Sequence, residues 1–180
     1  MKKIIWLLCI WIISIQAEAQ IRQAKLQASG LTCALCAKAV YANLESLPFI
    51  QKIDTDLNGS AFILEFNGKQ IDLDAIRKKV EDAGFSVAGL ELTATFINTE
   101  IEADKHISYQ GMIFHFVGSK KSILNGEQTI KIVDKNFILL KDQKKIQHLT
   151  KLPCYSTGYV SDCCNIEKTD EPQRVYHLIV

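Results

Sequence analysis

Strict alternation and three-four spacing of apolar residues take turns along the first half of the chain. "IRQAKLQASG" (21–30) sets Ala24, Leu26 and Ala28 on one side and Gln23, Lys25 and Gln27 on the other, the pattern of a half-buried strand. From Ala37 the apolar positions are Ala37, Val40, Leu44 and Leu47, the stripe of an amphipathic helix that Pro48 stops. Ile53, Thr55 and Leu57 alternate, "NGS" (58–60) is a turn signal, and Phe62, Leu64 and Phe66 alternate again, which predicts a hairpin. Asp72 stands as an N-cap before a second helical stripe, Leu73, Ile76, Val80 and Ala83, and Gly84 follows as its C′ residue. "FSVAGLEL" supplies a closing strand. The order βαββαβ over 21–92 predicts a ferredoxin-like unit.

Beyond Leu92 the pattern changes. "ELTATFINTEIEADK" passes from strand-like residues into an acidic, polar stretch. "MIFHFVG" sets Met112, Phe114 and Phe116 against Ile113, His115 and Val117. "QTIKIV" and "FILL" flank "DKN", so 128–140 reads as a hairpin. "CYSTGYV" and "RVYHLIV" read as two more strands, with a short helical piece at 141–149. These short strands predict a second, small β-rich domain over 93–180, a sandwich or a barrel similar in strand spacing to the oligonucleotide/oligosaccharide-binding (OB) type. The fold class is α+β.

The first residues stand apart from both patterns. "MKK", the apolar "IIWLLCIWIISI" and "AEAQ" have the layout of a secretory signal peptide over 1–19, cleaved after Ala19. The apolar run is shorter than the ~20 residues that span a bilayer, so no stable membrane anchor is expected after cleavage. Export, most naturally to a periplasm, follows. Lys and Arg number 21 against 20 Asp and Glu, a net charge of +1, and no basic stripe is interleaved with aromatics. A nucleic-acid partner is therefore not expected.

Export makes the cysteines informative. Of six, Cys9 leaves with the leader; Cys33, Cys36, Cys154, Cys163 and Cys164 remain, an odd number that cannot all pair within one chain. Cys33 and Cys36 sit where the loop "SGLTC" enters the first helix. Three fates are open to them: metal ligation, redox cycling as a dithiol, or a structural disulfide. A helix N-terminus favours thiolate over thiol. Two soft thiolates on a small loop suit Cu(I), whereas Zn(II) wants four ligands. The redox alternative lacks a tryptophan before the first cysteine and a proline strand facing the pair. In the second half, Cys154 with Cys163 (or Cys164) is a disulfide candidate closing a loop of about ten residues, worth about 2–3 kcal/mol. The remaining sulfur of Cys154, Cys163 and Cys164 is a candidate for a second soft-metal site, with His148 or His177 as company. His106 reads as solvated and His115 as a packed core histidine. No nucleophile-base, Walker or metalloprotease motif is present, so no catalytic residues and no enzyme are expected.

"SGLTCALCAKAVYANLESLPFI" followed by "KVEDAGFSV" resembles the heavy-metal-associated domain, a family of copper chaperones, periplasmic mercury-binding proteins and N-terminal modules of metal-pumping ATPases. The resemblance spans 21–92. It implies that Cys33 and Cys36 ligate metal, Cu(I) first with Hg(II) or Zn(II) as alternatives, and that Phe85 packs near the loop. It implies handover to a metal-transporting membrane protein or another metal-binding domain. One departure is Leu31, where the family usually has methionine beneath the loop.

Overall fold

The computed structural model describes residues 19–31, 33–56, 59–162, 164, 166 and 171–180. The expected signal peptide up to residue 18, with Cys9, lies outside the described residues, as do Thr32, Leu57 and Cys163. Ala19, the expected cleavage position, is exposed at the start of the described chain.

The first half runs β1 (Gln20–Ser29), α1 (Ala34–Glu45), β2 (Ile50–Asp56), β3 (Ala61–Phe66), α2 (Leu73–Asp82) and β4 (Ser86–Ile101). The helices form where the stripes placed them. Helix α1 buries Ala37, Val40 and Leu44, and α2 buries Leu73, Ile76 and Val80. The Asp72 carboxylate accepts from the Ala75 N–H at 2.9 Å, satisfying one of the N–H groups left over at a helix start. Gly84, at φ +86°, turns the chain out of α2 while the Phe85 N–H reaches back to the Val80 carbonyl at 3.1 Å.

The second half continues with β5 (Lys105–Tyr109), β6 (Met112–Phe116), β7 (Ser122–Ile132), α3 (Leu140–Ile146), α4 (Pro153–Thr157) and β8 (Val175–Ile179). All eight strands form one sheet in the order β2-β3-β1-β4-β7-β8-β6-β5. The first four strands have the ferredoxin-like order. Pairing is antiparallel throughout except between β6 and β8, which run parallel.

The second half departs from expectation: in place of a barrel or sandwich, its strands extend the first sheet. Strand β4 is 16 residues long and runs straight through residue 92. Its buried residues keep alternating through Leu90, Leu92, Ala94 and Phe96, so the same face stays apolar. Cross-strand register then carries one buried row over six strands: Phe62, Leu26, Leu90, Ile132, Leu178 and Phe116. A register shift between Phe96 and Thr99, with Asn98 at φ +44°, bends β4 and lets it continue to Ile101. The sheet is open, with β2 and β5 at its edges.

Two smaller expectations also differ. "FILL" does not return along β7, because β8 already occupies that edge: the Val133 N–H donates to the His177 carbonyl at 2.8 Å, and Lys131 and Ile132 pair with Ile179 and Leu178. "CYSTGYV" is not a strand either. Pro153 pre-sets the first turn of α4, and Gly158 ends it in the left-handed region at φ +76°. Helices α3 and α4 lie by a second, smaller cluster of Val117, Val133, Ile138 and Tyr155, with Ile146 packed against it.

Side chains tie the halves together across α2 and β8. The Arg174 Nε donates to Asp74 Oδ2 at 2.8 Å, and the Tyr176 hydroxyl donates to the same oxygen at 3.1 Å.

Candidate metal centre

The loop between β1 and α1 is pinned from both sides. Gly30, at φ +83°, makes the turn, and an added side chain there would meet Phe85. The Ser60 hydroxyl donates to the Leu31 carbonyl at 3.4 Å, and the Ala28 N–H donates to the Ser60 carbonyl at 3.2 Å. Leu31 and Phe85 both pack against the main core, so the loop rests on an apolar base.

Cys33 is the N-cap of α1. Its backbone is extended, its carbonyl accepts from the Ala37 N–H at 3.1 Å, and its Sγ accepts from the Cys36 N–H at 3.2 Å. Cys36 lies in the first turn, with its Cα 5.3 Å from that of Cys33, and the two sulfurs are joined as a disulfide. Cys33 is exposed, Cys36 is half-buried and Leu35 between them is 79% exposed. The sulfurs are thus at the surface, at the positive end of a 12-residue helix, where the anionic form of a reduced thiol is favoured. A cavity of about 220 Å³ opens beside Cys33, lined by Leu31, Ala34, Thr55, Asp56 and Phe62 among others. The residues fit a two-thiolate ion: the two sulfurs lie side by side, at the solvent-facing start of a helix.

Residues 25–86 match the model of the heavy-metal-associated domain. This segment is a heavy-metal-associated domain. Over 77 residues, 42% of this chain, the sequence is 36% identical to a probable copper-transporting ATPase of Arabidopsis thaliana. Over 62 residues, 34% of this chain, it is 29% identical to a probable copper-exporting P-type ATPase of Archaeoglobus fulgidus. The matched region spans 8% of the length of each of these relatives. Among solved structures, a copper-binding domain from a P-type ATPase superposes with a TM-score of 0.34 at 28% identity, covering 36% of this chain and 88% of that one.

The cysteines of the second half are placed differently from one another. Cys163, half of the disulfide candidate, lies outside the described residues, and Cys164 is buried on the connection from α4 to β8. Cys154, on α4, is wholly buried, with its Sγ 3.5 Å from His106 Nε2 and 3.7 Å from His115 Nδ1. His148 is exposed after α3 and takes no part in this group. His106 is not the solvated side chain expected from its polar surroundings: it is half-buried and stacks on His115 with ring centroids 4.4 Å apart. His115 is fully buried, but among polar groups and not in the apolar core. Burial, with His177 and His106 nearby, pushes its pKa down to about 4 against the opposing pull of Asp104. Burial also lowers the pKa of His106.

Sequence reasoning missed this grouping because it depends on register. His106 faces His115 across β5 and β6, and His115 faces His177 across β6 and β8. The one legible signal was His115 alternating against Phe114 and Phe116, which put it on the face opposite the main core.

Proposed function

We propose that the protein is exported, binds Cu(I) through Cys33 and Cys36, and hands the ion to a metal-transporting membrane protein or another metal-binding domain. The observation that carries this reading is the placement of the exposed Cys33 and the half-buried Cys36 side by side where a pinned loop enters a helix N-terminus, inside a heavy-metal-associated domain. The curated relatives of that domain, named as copper ATPases, support copper as the cargo. Loading requires the reduced pair: a thiol reductant supplies two electrons and two protons to open the disulfide, and the metal then displaces the thiol protons. Two-coordinate binding leaves Cu(I) open to a third thiolate, so transfer proceeds by ligand exchange without release into solvent. The thiol–disulfide alternative draws no support from relatives whose names describe copper transport.

The test is an anaerobic Cu(I) titration of the reduced protein against a competing chelator, repeated on the Cys33→Ser/Cys36→Ser variant. The expected result is one tight equivalent that the variant loses. Absence of tight binding, or a full complement retained by the variant, refutes the assignment.

A further inference from the structure

We infer that the chain carries a second metal site, formed by His106 Nε2, His115 Nδ1 and Cys154 Sγ beneath helix α4, for a borderline transition ion of the copper–zinc class. This site is independent of the loop and goes beyond the function proposed above.

The sheet brings the donors together. Residues 106, 115 and 177 are lateral neighbours on β5, β6 and β8, so their side chains line one face. That face is opposite to the one carrying Phe116 and Leu178 into the main core. Helix α4 covers it and lowers Cys154 onto the histidines. The three ligand atoms lie within 4.8 Å of one another. The sulfur-to-nitrogen separations are 3.5 and 3.7 Å. Metal bonds of about 2.3 Å to sulfur and about 2.0–2.1 Å to nitrogen, set at a tetrahedral angle, place those atoms about 3.6 Å apart. The two sulfur-to-nitrogen separations therefore match two edges of a tetrahedral site.

The hydrogen bonds around His115 fix which of its nitrogens is bare. His115 Nε2 lies 3.1 Å from Asp104 Oδ1, and a carboxylate only accepts, so that nitrogen carries the proton. Its Nδ1 then presents a lone pair toward Cys154. Asp104 is itself held by the Thr150 hydroxyl at 2.7 Å. His177 repeats the arrangement: Nδ1 donates to Asp134 Oδ1 at 2.8 Å, which turns Nε2 away from that carboxylate. That Nε2 is buried and has no hydrogen-bond partner among the described residues, although its ring packs edge-on against His115 with centroids 4.9 Å apart. A buried nitrogen without a partner is costly unless something else satisfies it. Carboxylate–histidine pairs of this kind orient metal ligands and raise their basicity. His115, Asp134, Thr150 and His177 are all buried, and all four belong to this assembly.

The donor set selects the ion. Two imidazoles and one thiolate suit copper or zinc, whereas magnesium and calcium take oxygen ligands. Binding a divalent ion releases the Cys154 proton to solvent and forms the metal–sulfur bond. The imidazoles, neutral at pH 7, give up lone pairs and no proton.

The test uses the full chain carrying Cys33→Ser/Cys36→Ser, reduced and freed of metal, so that the first loop is silent. Co(II), a visible stand-in for zinc, and Cu(II) are added in separate titrations. The expected result is a thiolate-to-metal charge-transfer band saturating at one equivalent. It should vanish with Cys154→Ser, and His106→Gln, on the edge strand, should weaken binding at least about tenfold. Near-ultraviolet circular dichroism checks that both variants stay folded. Three results overturn the inference: no band in the reduced protein, a band that survives Cys154→Ser, or His106→Gln binding as tightly as its parent. Alkylation and mass measurement after reduction establish that the Cys154 sulfur is reduced before metal is added.

Discussion

Replacing Arg174 with methionine is expected to cost about 3 kcal/mol of stability. The guanidinium makes one buried and one half-exposed ion pair, to Asp134 at 3.2 Å and to Asp74 at 2.8 Å. It also donates to the Gly158 carbonyl at 3.0 Å and lies 4.4 Å above the Tyr176 ring. The decisive partner is Asp134, whose side chain is 4% exposed. Removing one member of a buried pair costs about 3–5 kcal/mol, because the other charge is left in low dielectric. The lower figure applies here, since the Asp134 carboxylate keeps the His177 backbone N–H at 2.7 Å and the His177 ring at 2.8 Å. Methionine keeps most of the aliphatic packing, so the loss reports the polar contacts. The control is Arg77→Met, which breaks partly exposed pairs with Glu81 and Asp74 and should cost no more than about 1 kcal/mol. Urea unfolding of the metal-free protein measures both. In a thermal scan the Arg174→Met loss should appear as a fall of roughly 6–12 °C. An Arg174→Met protein within about 1 kcal/mol of the parent, or losses that are equal in the two variants, would refute the buried pair.

Stability of the metal-free protein should fall as the pH drops from 6.5 toward 4. The buried His115 has its pKa lowered from 6.5 to about 4, so the unfolded chain binds more protons in that window, and the contribution, at most about 3 kcal/mol, is complete above 6.5 and lost on acidification. A urea midpoint that stays flat across the window in the parent, or slopes equally in His115→Gln, contradicts this. Gly84→Ala should cost about 1–2 kcal/mol, because φ is +86° and no atom lies within 4 Å of the added methyl, so the penalty is backbone strain alone. An unchanged urea midpoint would show that the turn does not need glycine.

The first half was legible because its signals are local. The α1 and α2 stripes, the Asp72 cap and Gly84 each act within a turn or two of their own position, and all agree. The loop cysteines were legible for the same reason: a helix start and a three-residue spacing set their geometry. The second half turns on partners far away in the chain. "FILL" has strand composition, but β8, more than thirty residues on, takes the place beside β7. "CYSTGYV" looks like a strand by its aromatic and β-branched residues, yet Pro153 and Gly158 decide it. The polar "NTEI" end of β4 concealed a strand whose register with β7 resumes beyond Asn98. The histidine group needed both the His106–His115 hairpin pairing and a parallel pairing of β6 with β8, and no periodicity encodes the second of these.

The length of β4 has a consequence for a chain still being synthesised. Residues up to Ile101 can complete the four-strand unit, but β7, which covers the far edge of β4, begins only at Ser122. Until then the 16-residue β4 offers a row of open backbone donors and acceptors, with Leu90, Leu92, Ala94 and Phe96 along it. Such an edge recruits whatever extended segment arrives first. The nascent protein therefore has an interval in which its own later strand competes with a neighbouring chain, and a fragment cut after Ile101 would never leave it.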